Sequence, residues 1–157
     1  MFHTAWAGVL AFLADRITKQ LTLEWLELDT PKVVWGGVLN LIHTQNTGMA
    51  LNILAGHTWL LIVLSSLALV TMVVALYRAL PGTPRQCVLL WMLLAGGLGN
   101  LADRLLFGYV IDLFSVQFVQ FPVFNVADML LTVSAVLLII ALLRHPDEKK
   151  ANDQPAA

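Results

Sequence analysis

Charged residues are scarce in this chain. Asp, Glu, Lys and Arg together make up 12% of its 157 residues, where a soluble domain carries about a quarter. Cysteine occurs once, as Cys87 in an apolar run. That excludes a disulfide framework and any zinc site built on paired thiols, and Cys87 reads as one more small apolar residue. Neither HExxH nor a helical histidine pair is present, so no zinc-peptidase signature exists and no metal or other cofactor is expected. Nor is there a basic excess. Nine Lys and Arg face ten Asp and Glu, for a net charge of −1, which offers nothing to a nucleic acid. Internal repeats are absent. The apolar "TAWAGVLAFLA" is not preceded by a basic region, and "DRITK" follows where a leader would end in small residues. It is expected to be the first half of a retained helix.

What the chain has in abundance is oil. Hydrophobic residues account for 59% and mean hydropathy is +0.79. Thr58 to Tyr77, Gln86 to about Leu105 and Asn125 to Leu143 are each long enough, at about 20 residues, to cross a bilayer. A fourth segment, Thr4 to Leu23, is apolar in its first half and carries Asp15, Arg16 and Lys19 in its second. The loop "RALPGTPR" and the tail "RHPDEKK" hold most basic residues outside the spans, whereas the connection from Glu24 to His57 holds only Lys32 against three acids. That bias turns the first connection outward and both termini toward the cytoplasm. The same connection, rich in Val, Ile, Leu and Trp with "GG" and "NTG" turn signals, predicts short strands on the membrane surface. The expected fold is an all-α polytopic membrane protein. It is a bundle of four transmembrane helices with a small β-rich extracytoplasmic cradle (about 24–57), forming one domain over 1–145, with a disordered cytoplasmic tail from 146 to 157. A monomer surrounded by membrane lipid is expected.

Against this background the polar residues stand out. A carboxylate at mid-bilayer costs about 2.5–3.5 kcal/mol, yet Asp15, Asp103 and Asp128 fall on spans and Asp112 follows the third closely. Asp15 and Lys19 are four apart and can pair. Asn100, Asp103 and Arg104 cluster on one side of the third span, Asp103 beside Arg104 as an ion pair. Asn125 and Asp128 share a face of the fourth. All lie toward the outer ends of their spans, so a bundle turning them inward makes one polar site open to the outer leaflet. Gly96, Gly97 and Gly99 allow the close helix approach such a bundle requires.

The residue types narrow the chemistry. Ser65 and Ser66 lie in a span, but no span contains a histidine to activate them: His43 and His57 are in the outer connection, His3 and His145 near the ends. Cys87 lacks a partner base. Acid chemistry remains. A short hairpin from Leu113 to Pro122 would bring Asp112 and Asp128 together, and two neighbouring carboxyls share a proton, one acting as base toward water and the other as acid. Read as residues alone, the acids also fit a proton-coupled transporter or a scaffold that uses them as helix–helix glue.

"DRITK" (15–19), "QNTGMA" (45–50), "GGLGNLADR" (96–104), "GYVIDLF" (108–114) and "FPVFNVAD" (121–128) occur in this order. Together they resemble the signature blocks of bacterial lipoprotein signal peptidase, signal peptidase II. The resemblance implies an intramembrane aspartic endopeptidase of the bacterial cytoplasmic (inner) membrane. Such an enzyme cleaves the signal peptide from diacylglyceryl-modified prolipoproteins just before the lipidated cysteine. It implies Asp112 and Asp128 as the catalytic pair, with Asp15, Lys19, Asn46, Gly48, Asn100, Asp103, Arg104, Asn125 and Ala127 shaping or supporting the site. Three departures are visible: Leu113 separates Asp112 from Phe114, Leu51 stands where the family has Phe, and the stretch from Asp112 to Asp128 is short.

Overall fold

A computed structural model describes residues 2–49, 53–79 and 83–144. Leu51 and the tail from 146 to 157 lie outside them. A short 3-10 turn, Phe2–Thr4, leads into α1 (Ala5–Trp25), followed by β1 (Lys32–Trp35), β2 (Leu39–Asn46), α2 (Thr58–Ala79), α3 (Pro84–Phe107), β3 (Val110–Val116) and α4 (Val126–Arg144).

The helices are inside out by the standard of a soluble protein. Along α1, Trp6, Val9, Leu10, Leu13 and Ile17 are exposed, while Asp15, Lys19 and Thr22 are buried at the i, i+4, i+7 spacing of a single face. Asp103 and Asn125 are likewise buried, at 0% exposure, whereas Leu106 is 71% exposed. Water would reverse that arrangement, because burying ions while exposing leucine costs free energy on both counts. Among the described residues, α3 alone is long and apolar enough to cross a membrane; the apolar stretches Thr58–Val74 and Val126–Ala141 are shorter.

α3 is the hub. It packs against α1, α2 and α4. It begins with a capping box, Thr83 and Gln86 each accepting the other's backbone N–H, and it stops at Gly108, whose φ of 82° suits glycine. Its glycines set the helix spacing. A Cβ on Gly96 would lie 2.6 Å from the carbonyl oxygen of Ala127, and one on Gly97 would lie 2.7 Å from Leu69. Those contacts bring the backbone of α4 and the Leu69 side chain of α2 directly against α3.

The sheet corrects the sequence reading. Strands were expected between residues 24 and 57, and β1 and β2 are there, but a third strand arrives from beyond α3. The order is β1-β2-β3, all antiparallel, so the molecule is mostly helical with a three-stranded sheet shared between two separate segments. The sequence places this segment just beyond the third span, leading into a short hairpin from Leu113 to Pro122, because "VIDLFSV" is too short to show a strand period of its own. The return toward α4 is pinned by reciprocal backbone hydrogen bonds between Phe114 and Phe124, at 2.8 and 3.1 Å.

Candidate active site

Three elements converge at the sheet end of the bundle. Asp112 comes from β3, where its register opposite Thr44 is set by pairing with β2. Asp128 lies in the first turn of α4, its backbone N–H donating to Asn125 Oδ1 at 2.9 Å. Asn100 projects from α3 between them.

Asn125 joins the two acids. Its Nδ2 donates to Asp112 Oδ1 at 2.6 Å and its backbone N–H to Asp128 Oδ2 at 3.2 Å. The remaining oxygens are also occupied. Asn46 Nδ2 donates to Asp112 Oδ2 at 2.9 Å, and Asn100 Nδ2 donates to Asp128 Oδ1 at 2.7 Å. Each carboxylate oxygen thus has one amide donor. The amide ends are not interchangeable, because Asn100 Oδ1 is taken by Lys19 Nζ at 3.0 Å and by Asn125 Nδ2 at 3.2 Å. Asn46 Oδ1 is likewise held, by the N–H of Gly48 at 2.9 Å.

Asp112 is 2% exposed. Burial pushes its carboxyl up, the negative charge of Asp128 adds to the rise, and the amide donors offset part of it, leaving it at about 7. A cavity of about 550 Å³ opens beside Asp128. Asn46, Asn100, Arg104 and Asp128 supply its polar wall, and Val110, Phe121 to Phe124, Met129 and Leu131 its apolar one.

Behind the acids lies a buried ion cluster. Lys19 Nζ is 3.1 Å from Asp15 Oδ2 and 2.7 Å from Asp103 Oδ2, so the expected Asp15–Lys19 pair is present. The expected Asp103–Arg104 pair is not. Asp103 turns instead to Lys19 and to Arg16 Nη2, the latter at 2.7 Å, and Arg104 Nη2 donates to the carbonyl of Gly48 at 2.9 Å. Consecutive helical residues point about 100° apart, so adjacency in sequence set these two side chains on different faces. Ala127 is fully buried and its N–H donates to Asp15 Oδ1 at 3.0 Å. All the residues selected from sequence therefore gather at this end of the bundle. The sequence reading passed over Arg16. Its signal was a count of charges: Asp15 and Asp103 are two acids, and Lys19 neutralises only one. Among the described residues, no group of His, Cys, Asp and Glu is arranged to hold a metal ion.

Known proteins resemble this chain in sequence and in fold. The family model for signal peptidase (SPase) II matches residues 7–144. The chain is 34% identical over 141 residues to the lipoprotein signal peptidase of Lactococcus lactis subsp. cremoris strain SK11, covering 90% of this chain and 93% of that one. It is 35% identical over 142 residues to the lipoprotein signal peptidase of Lactiplantibacillus plantarum, covering 90% and 95%. A bacterial membrane enzyme solved by the in meso method at 2.3 Å resolution superposes with a TM-score of 0.84 at 27% identity, covering 100% of this chain and 96% of that one.

Proposed function

Because the chain belongs to the signal peptidase II family, we propose that it is an intramembrane aspartic endopeptidase. It removes the signal peptide of prolipoproteins by cutting just before a cysteine that carries diacylglycerol. The observation that carries this reading is the joint hold of Asn125 on Asp112 and Asp128, with Asp128 on the wall of a mostly apolar cavity.

Peptide hydrolysis needs a base for water and an acid for the carbonyl oxygen. Asp112, raised to about 7, is about half-protonated near neutral pH and serves as the acid, with Asp128 as the base. Asp128 takes a proton from water as the water oxygen bonds to the scissile carbon, and Asp112 donates its proton to the carbonyl oxygen. Collapse of that tetrahedral species breaks the C–N bond. The proton on Asp128 goes to the departing amine, and Asp112 recovers its own from the hydroxyl. The polar wall formed by Asn46, Asn100 and Arg104 hydrogen-bonds the backbone of a partly unwound signal helix, because lipid cannot. Apolar residues such as Met129 and Leu131 face its side chains.

Four membrane spans follow from the same reading. The apolar exteriors of α1, α2 and α4 lie in lipid beside α3, and the sheet rests at the outer leaflet with both termini in the cytoplasm. The clustering of the acids at one end favours hydrolysis over a proton-relay transporter, whose acids would be strung through the depth of the bundle.

The test is direct. Purified protein incubated with a diacylglyceryl-modified prolipoprotein should release the signal peptide, seen as a mobility shift. Asp112→Asn and Asp128→Asn should each slow cleavage by at least about 10²–10⁴-fold. Near wild-type turnover by either variant overturns the assignment.

A further inference from the structure

The proposed reaction leaves Arg16 without a task, although it belongs to a cluster of two acids and two cations. Its Nη2 is 2.9 Å from Asp15 Oδ2, 2.7 Å from Asp103 Oδ1 and 3.2 Å from the carbonyl oxygen of Gly99. Both acids also accept from main-chain donors, Asp15 through the oxygen its cations leave free and Asp103 through the oxygen that Lys19 shares. Asp15 Oδ1 accepts from the N–H of Ala127 at 3.0 Å, and Asp103 Oδ2 accepts from the N–H of Ile111 at 3.2 Å. Ala127 immediately precedes Asp128, and Ile111 immediately precedes Asp112. Each supporting carboxylate thus grips the backbone one residue ahead of one member of the pair, on two different elements.

We propose that Arg16 is a positioning residue, the clasp that ties these two supports together and so sets the separation of Asp112 from Asp128. The inference rests on the peptidase reading above. Lys19 also bridges Asp15 and Asp103, but it has a second task in orienting Asn100. With Arg16 in place the cluster holds two cations and two anions. Without it, one cation faces two carboxylates in a site where Asp15 and Asp103 are 0% exposed, and an unbalanced buried charge is costly. Lys19 is then drawn toward the acids and away from Asn100, and the two supports are free to part. Arg16 itself is steadied from outside the cluster, its Cζ lying 5.7 Å from the Phe12 ring centroid.

A misplacement of about 1 Å at the reacting groups costs on the order of a hundredfold in rate. Arg16→Leu should therefore lower kcat for prolipoprotein cleavage by roughly ten- to a hundredfold while KM stays near wild type. Arg16→Lys, which keeps the charge, should restore most of the rate. Wild-type kcat in Arg16→Leu overturns the proposal. So does a loss that Arg16→Lys does not repair. If Arg16→Leu does not accumulate as folded protein, Arg16→Gln, neutral yet able to donate a hydrogen bond, decides, because wild-type kcat in a folded Arg16→Gln overturns the proposal equally. Wild type and Asp112→Asn run alongside: if the first does not cleave, or the second does, the peptidase reading has failed rather than the clasp.

Discussion

Asp112 occupies an environment that water would never offer it, and its proton reports that environment. An unfolded chain ionises this carboxyl near 3.8, the folded one at about 7. Between those values the folded chain binds one more proton than the unfolded chain, so stability falls as pH rises from about 4 to about 7 and is level above. Replacing Asp112 by Asn removes that titration. The variant should therefore gain on wild type by roughly 2–4 kcal/mol between pH 4 and pH 8, measured by thermal unfolding in detergent. It also carries a fixed cost of about 1–3 kcal/mol, because Asn46 and Asn125 both donate to Asp112 and one must then face an amide N–H. A difference that does not change with pH would refute the assignment of the raised proton affinity to this residue. At this scale the acids of the candidate site were legible in sequence, since a carboxylate within apolar residues must have a reason to be there, whereas Asn46, Gly48 and Ala127 came only from the resemblance. Asp112 and Asp128 stood out for that reason. The partner of Asp103 did not, because the helix turns its neighbour Arg104 toward Gly48 and brings Arg16 from another helix.

Among the elements, contact between α3 and α4 is closest at Gly96, where any Cβ would meet the Ala127 carbonyl at 2.6 Å and Leu131 at 3.0 Å. Backbone does not yield as a side chain can. Gly96→Ala should destabilise the protein by about 1–3 kcal/mol and lower activity, since Asp128 rides on the displaced turn. Gly36→Ala, with nothing within 4 Å of the added atom, should do neither. Unfolding midpoints of the two variants side by side check this, and equal midpoints would refute it. The four helices were legible from apolar run length, and their ends fell within a few residues of expectation, as with α3 at Pro84–Phe107. β3 was not. A strand of seven residues that finds its partner more than sixty residues earlier carries too little local pattern to announce the pairing.

At the scale of the whole molecule, ions and amides are gathered inside and leucine, valine and tryptophan are turned out, which suits a hydrocarbon surrounding. The proposed topology predicts opposite labelling of two exposed positions. With the buried Cys87 replaced by Ser, a cysteine at Gly36 should react with a membrane-impermeant maleimide on intact cells, and one at His3 only after permeabilisation. Labelling of the His3 position on intact cells would invert the orientation. Legibility here was divided: the apolar exterior followed from composition, whereas the assembly of one sheet from two distant segments required the fold. Across that assembly, Asp103 and Asp15 reach β3 and α4 through peptide N–H groups at Ile111 and Ala127 respectively. A grip on main chain is blind to the identity of the side chain it passes. Mutational drift at position 111 therefore leaves this anchorage untouched for every amino acid except proline, which has no hydrogen to offer.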